Sequence, residues 1–490
     1  MKEIQTEKVS LGQKLVYAFG TVAANFLSNG IGGLALPIYS IGLGLNASLV
    51  GLALGIPRTL DAFIDPLMGN ISDNTRSRWG RRRPYIVVGG ILCGLAFALI
   101  WRPNPNWSPN GLFAFFFVAS VFYYLCFTLW SIPYTALGYE LSYDYKERTS
   151  IQAYRVFIGF LFALAFPWLY KMCFWSWDKL LAPNMGTITH RLQELTQKSH
   201  IRGAEVSGAG VVGLIFGVLI IITAVLPAIC RERVEAQSHE KMRFLTALTS
   251  TFKNKPYMIL TAMSFLACFG LVMIQPFGLY VNIYHVFNGN REAAATMCGW
   301  GGTVNTLIGL LSMPLIPMFA NKVGKKRAVL LGLAFTALGY ISIWWCFTPK
   351  LPWLQLVPNL FIGPAWFCCL TLIPSMTADI CDFDEVETGR RREGMYGAVS
   401  GWIVKVGIGL VTCITGIVVS LAGVDPKVAT QSASTVFNLR VLFVGIPCLF
   451  LIAALIIGAY YPITEKAARE VRAILDERKN DCTPQPASKD

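Results

Sequence analysis

The strongest constraint on this chain is a series of about twelve apolar runs, each close to the roughly 20 residues needed to cross a bilayer as a helix. They begin near Lys14, Ser48, Tyr85, Gly111, Ile151, Gly208, Pro256, Ala294, Ala328, Pro352, Met395 and Leu439. The chain is 54% hydrophobic and only 14% charged. A soluble core of this size does not need so apolar a composition. The expected class is therefore an all-α polytopic membrane protein with the lipid bilayer as its solvent. The first apolar stretch is too long for a signal-peptide core and lacks a cleavage site, so no cleavable signal peptide is expected.

A net charge of +14 raises the question of nucleic acid, but the charge is distributed by loop. Arg76, Arg78, Arg81, Arg82 and Arg83 follow the second run. Arg231, Arg233, Lys241, Arg243, Lys253 and Lys255 follow the sixth, Lys322, Lys325, Lys326 and Arg327 the eighth, and Arg390 to Arg392 the tenth. The alternate short loops are nearly bare. This is the positive-inside bias, which places both termini in the cytoplasm and excludes nucleic acid as the partner. The 13 cysteines show no metal or disulfide spacing, and Cys93, Cys126, Cys268, Cys368 and Cys369 read as small apolar residues within spans. His190, His200 and His239 fall in loops, and His285 near the end of the seventh run reads as packed or snorkelling.

The chain also echoes itself. Pro66-Leu67 leads to Gly80-Arg81-Arg82-Arg83 and a new run, and Pro314-Leu315 leads to Gly324-Lys325-Lys326-Arg327 and a new run. Ile132-Pro133 is matched by Ile373-Pro374. Two echoes in register point to two pseudo-symmetric six-helix bundles, a plan common among carriers with a midplane site. The expected division is 1–230, a cytoplasmic linker at 231–255, a second bundle at 256–463, and a tail at 464–490. Thr464 is placed to cap a short charged helix reaching about Glu477, before a tail that reads as disordered. Within the long outer loop at 175–207, Thr189 is placed to cap a short surface helix at 189–197. That loop is either a vestibule cap or a plain connection.

Two aspartates, Asp61 and Asp65, stand inside the second run. A carboxylate at bilayer depth costs several kcal/mol and marks an ion or substrate path by default. Spaced i, i+4, the pair shares one helical face, and Pro66 removes the helix partner of the Ala62 carbonyl. The alternative is a structural pair neutralised by neighbouring helices. Arg58 is one turn earlier, and either pairs with Asp61 or reaches a neighbour. Lys405, in the eleventh run, has no acid near it in sequence, so a lone ammonium there must find a carboxylate or a wet cavity. Asp61 and Asp65 are the obvious counter-charges, either as a static bridge or as a pairing that a coupling cation competes for. Arg155 begins the fifth run, placed for a substrate or for a gate. Asp73, Glu140, Asp144, Glu147 and Arg148 offer loop ion pairs. Trp130, Tyr134, Trp366 and Trp402 are candidates for stacking on a sugar, against packing as the alternative.

Asp61-x-x-x-Asp65-Pro-x-Met-Gly69, followed by Asn74-Thr-Arg-Ser-Arg-Trp-Gly80, resembles the second-helix signature of the glycoside–pentoside–hexuronide:cation symporters. These are the melibiose-permease-like branch of the major facilitator superfamily. Ile132-Pro133-Tyr134 with Glu147-Arg148-Thr149 and Arg155, and Ala378-Asp379-Ile380-x-Asp382 through Glu393 to Lys405-x-Gly407, are similar to that family's other helices. The resemblance implies a major facilitator fold, with Asp61, Asp65 and Thr128 binding the coupling ion, Lys405 adjoining it, and Arg155 in or beside the substrate cavity. Where melibiose-type members place galactoside-binding aspartates and a tryptophan, this chain has Asn25, Ser131 and Thr135. That puts α-galactosides in doubt and, with two negative charges gone, eases entry of a uronide. The family's sodium site also uses an asparagine where this chain has Ile64. A proton needs only a carboxylate, so H+ is favoured, with Na+ (and then Asp61 and Asp65 as its ligands) still open.

The expected function is thus cation-coupled symport of a glycoside, oligosaccharide or hexuronide by alternating access, in the cell (inner) membrane, by a monomer with no cofactor beyond the H+ or Na+ ion. The alternative within transport is a lysolipid carrier. A membrane-embedded enzyme is less expected, since no metal-ligand or Ser/His/Asp set is apparent, and a non-transporting sensor leaves the retained charges unexplained.

Overall fold

A computed structural model describes residues 9–142, 145–175, 204–230, 254–389, 393–426, 428 and 430–481. Among them, twelve long helices follow one another: α1 (Leu11–Ala35), α2 (Ala47–Asn74), α3 (Arg83–Ile100), α4 (Pro109–Glu140), α5 (Tyr145–Ala163) and α6 (Ala204–Val225), then α7 (Lys255–Val272), α8 (Arg291–Ser312), α9 (Lys325–Cys346), α10 (Asn359–Thr388), α11 (Glu393–Leu421) and α12 (Ala433–Ala459). Several begin a few residues before the apolar runs because a polar side chain caps the first turn: Asn46 for α2, Ser108 for α4, Asn290 for α8 and Ser432 for α12 each accept a hydrogen bond from a backbone N–H. Helix α13 (Glu465–Asp481) ends the described chain, and Thr464 accepts from the Ala467 N–H at 3.3 Å as its cap. The expected helix at 189–197, His190, His200, His239, Asp144, Arg390 to Arg392, most of the 231–255 linker and the tail beyond 481 lie outside the described residues.

Ten of these helices are long and apolar enough to cross a membrane, or eleven when α8 is joined to its continuation Leu315–Val323, bent by 55°. The break falls at Pro314, which cannot continue the hydrogen-bond ladder. Helix α1 is the remaining one. Its 25 residues span about 37 Å, enough for the bilayer, but Thr21, Asn25, Ser28 and Asn29 dilute its apolar character. No spanning window is more than 56% buried inside the protein, and the outward faces carry residues such as Leu99, Val118 and Leu311. Those faces need hydrocarbon around them.

The internal repeat is realised in the packing. α1 packs on α5 and α6, α2 on α4, and α3 on α4 and α6; six helices later, α7 packs on α11 and α12, α8 on α10, and α9 on α10 and α12. The two glycines of the sequence echo do the same work. Gly80 (φ +104°) and Gly324 (φ +87°) adopt backbone angles closed to other residues, and each turns the chain into the next helix. The base that follows each one pairs with an acid on the matching helix: Arg81 with Glu140 of α4, and Lys325 with Asp379 of α10 at 2.7 Å.

At this arginine-rich end α2, α3 and α4 are tied by Glu140, which joins Arg81 and Arg82 (2.8 Å), while Arg82 also reaches Asp73 at 3.2 Å. Lys14 pairs with Glu147 at 2.8 Å. Arg82 is buried and would lose its ion pair with Glu140 while keeping the longer one with Asp73, so Glu140→Gln is expected to cost about 2 kcal/mol, read as a lower unfolding midpoint of the detergent-solubilised protein. Lys466→Ala, at a fully solvated pair with Glu470, is the matched control and is expected to leave the midpoint unchanged.

The two sets of six meet at two junctions related by the same offset. One is α2 against α11, and the other joins α8 to the short segments Phe166–Trp168 and Leu169–Met172 that follow α5. The first is a glycine seam: a Cβ on Gly51 would come within 2.9 Å of the Gly416 Cα, and one on Gly409 within 2.9 Å of the Thr59 N. Both junctions are tightest toward the end opposite the arginines.

Candidate functional site

Just below the glycine seam, α2 and α11 exchange glycines for charges. Two helical turns past Gly55, α2 presents Asp61 and Asp65, and one turn before Gly409, α11 presents Lys405. The Lys405 Nζ donates to Asp65 Oδ2 at 2.5 Å and to Asp61 Oδ2 at 3.2 Å. Thr128 of α4 donates its hydroxyl to Asp61 Oδ1 and lies 3.5 Å from Asp65 Oδ1. Three helices and both halves of the chain thus converge on one carboxylate pair. The close approach follows from the seam, because without side chains between them the helix backbones bring a long lysine within reach.

Burial grades the cluster. The Asp61 side chain is fully buried, whereas Asp65 is 20% and Lys405 22% exposed. Of the two carboxylates, Asp65 is therefore the more accessible. Arg58 does not pair with Asp61. Its guanidinium turns to α4 and lies 5.2 Å from the ring of Tyr124 and 5.5 Å from that of Phe127, a cation–π arrangement that suits a desolvated arginine. Two of its nitrogens, Nε and Nη1, are buried without a hydrogen-bond partner among the described residues. The Lys405 ammonium is 5.8 Å from the same Phe127 ring.

The other candidate residues divide in two. Tyr134 is buried, its hydroxyl 3.1 Å from both Thr21 Oγ1 and the Tyr17 carbonyl oxygen, and its ring lies between those of Tyr17 and Trp130 at 4.9 and 4.7 Å. Trp130 is equally buried, and its indole N–H donates to the Ala224 carbonyl at 2.9 Å. Both rings are covered, so in this conformation neither stacks on a ligand: the pattern that suggests sugar stacking here serves helix packing. The Tyr134 ring instead supports Arg155, whose guanidinium is 5.6 Å away. Arg155 donates to Gln152 at 3.4 Å and has no ion pair among the described residues. Asn25 is half-buried and donates to the Gly159 carbonyl at 3.1 Å, tying α1 to α5. The Ser131 hydroxyl is buried without a partner among the described residues, and Thr135 is half-buried one turn on. Trp402 packs edge-on against Phe63 at 5.4 Å, and Trp366 is half-buried on α10.

Sequence reasoning passed over two charges. Arg440 of α12 donates to the Trp344 carbonyl at 2.7 Å and stacks on its indole at 4.4 Å. Glu205, at the start of α6, is almost wholly buried against Arg291. Its signal was an acid directly before one of the most apolar runs in the chain.

The family model for MFS/sugar transport proteins matches residues 16–465. The chain belongs to that family. Over 96% of both chains, this MFS/sugar transport protein is 26% identical to an uncharacterized symporter, YnaJ, of Bacillus subtilis. It is 25% identical to a glucuronide carrier protein homolog of Escherichia coli, over 94% of this chain and 95% of that one. Among solved structures it is similar to a bacterial homolog of the human lysosomal transporter Spinster in an inward-facing, unoccupied conformation, with a TM-score of 0.64, 18% identity, and coverage of 97% of this chain and 98% of that one. That likeness establishes the twelve-helix major facilitator fold. The relatives of this MFS/sugar transport protein, by sequence and by fold, are membrane transporters.

Proposed function

We propose that this protein is a symporter that couples a cation gradient to the uptake of a glycoside or related sugar, and that its substrate is an acidic sugar. The observation that carries the reading is Lys405 bridging Asp61 and Asp65 across the junction of the halves. The ammonium sits where a cation would be bound, so an incoming ion must compete with it. An ion that displaces Lys405 also removes the main charge contact between α2 and α11, and so changes the relative stability of the two arrangements of the halves. In this reading the halves are 1–230 and 256–463, rocking about the cluster, and the molecule works as a monomer.

The same cluster favours a proton. Asp61, Asp65 and Thr128 supply its oxygens, and the residue beside Asp65 is Ile64, which supplies none. A sodium ion needs several such ligands, and a proton needs one carboxylate. The arginine-rich turns and both termini face the cytoplasm, as the positive-inside rule requires, and the cell membrane is the site of action. A uronide is supported by Arg155, which carries no ion pair among the described residues, by neutral Asn25 and Ser131, and by the resemblance to the glucuronide carrier homolog.

The test is reconstitution into liposomes with labelled uronides, neutral glycosides and lysolipids under an imposed proton or sodium gradient. Uronide accumulation driven by the proton gradient is expected. Uptake that follows sodium and ignores pH overturns the ion assignment, and lysolipid movement without sugar uptake overturns the substrate class.

A further inference from the structure

Charge pairs between the halves are unevenly placed. At the cytoplasmic end, Lys14–Glu147, Arg82–Asp73 and Lys325–Asp379 each stay within one half. At the outer end two pairs cross. Arg291, the first residue of α8, binds Glu205 at the start of α6, and beside it Glu292 binds Lys171 at 2.5 Å. The Glu205 side chain is only 4% exposed. Below these pairs the Trp168 indole N–H donates to Thr303 Oγ1 at 2.9 Å, and a Cβ on Gly299 would come within 2.9 Å of the Trp168 ring. This rim lies across the molecule from the glycine seam, so the outer face is shut by apolar fit on one side and by charge on the other.

We propose that Glu205–Arg291, supported by Lys171–Glu292, is a latch that holds the outer face closed and sets the balance between outward-closed and outward-open forms. A glycine seam can part without leaving a charge behind. A buried carboxylate cannot, because its partner must stay or water must enter. Glu205 and Arg291 are therefore positioning residues for alternation, and the coupling ion and the substrate need not touch them. The inference rests on the two-half alternation proposed above.

Cys413 is the reporter. It lies on the seam, its N 2.8 Å from a Cβ built on Gly55, and outer opening brings it to external water. Intact cells expressing the full chain are treated with a membrane-impermeant maleimide, with Cys413→Ser as background. Glu205→Gln and, independently, the more exposed Arg291→Gln are each expected to raise the Cys413-specific rate about tenfold, as a tenfold shift in a two-state balance would. The exchange Glu205→Arg with Arg291→Glu is expected to return the rate to within about twofold of the parent. Gly51→Trp, which wedges α2 from α11 whatever the latch does, serves as the reference for an opened seam. Acceleration by the wedge but by neither latch variant overturns the latch and leaves alternation standing. Failure of the wedge and of both latch variants to expose Cys413 overturns the alternation as well as the latch. Acceleration that the charge exchange does not reverse also overturns the pairing.

Discussion

Asp61→Asn is expected to abolish gradient-driven accumulation, lowering it by about two orders of magnitude or more. The side chain is fully buried and accepts hydrogen bonds from Thr128 and Lys405. Asparagine keeps the volume but can neither carry nor release a proton, and it leaves the Lys405 charge with Asp65 alone. The loss follows from the missing ionisable group, and two orders of magnitude correspond to about 2.7 kcal/mol in the barrier to the coupled step. Exchange of labelled for unlabelled substrate across the membrane needs no net ion movement and is expected to persist. The two measurements on the same proteoliposomes separate a coupling defect from a folding defect. Accumulation at the parent level in Asp61→Asn removes the cluster from the mechanism.

Arg155→Gln is the second large effect, and it is one of selectivity. The guanidinium rests on the Tyr134 ring with no acid to satisfy it among the described residues. A charge-assisted hydrogen bond to a sugar carboxylate contributes about 1.5–3 kcal/mol. The KM for a uronide is therefore expected to rise by roughly 10- to 100-fold, and that of the matching neutral glycoside by little. An equal rise for both substrates means that Arg155 shapes the cavity without reading the acid. Tyr134→Phe is expected to leave the uronide preference intact, because its hydroxyl is spent on Thr21 and Tyr17.

The sequence makes the helices legible because the bilayer imposes one length and one polarity on all of them. Every apolar run has its helix, and the echo at Gly80 and Gly324 appears both as backbone angle and as the Arg81–Glu140 and Lys325–Asp379 pairs. Asp61, Asp65 and Lys405 were legible as mutual partners because a charge at bilayer depth has few ways to be satisfied. Thr128 was placed beside them only by resemblance. What the sequence hid were faces. Nothing in the pattern distinguishes a Trp130 or Tyr134 packed between rings from one lining a cavity, since both need the same residue at the same depth. Arg58 likewise turns to two aromatic rings instead of the nearby acid, a choice set by α4 and not by its own helix. Glu205 and Arg291 lie 86 residues apart, and no local signal joins them.

The dilution of α1 by Thr21, Asn25, Ser28 and Asn29 has a consequence during synthesis. This helix leaves the ribosome before its partners, and by itself it is not apolar enough to count among the spanning helices. Two of its polar groups are spent on later partners: Asn25 on the Gly159 carbonyl of α5, and Thr21 on the Tyr134 hydroxyl of α4. Until those helices exist, α1 exposes unpaired donors to hydrocarbon, where each one costs several kcal/mol. Its insertion is therefore a delayed event, completed once α5 has been made. A nascent chain truncated before Gly159 should leave α1 extractable by alkali, and one extended past α6 should not.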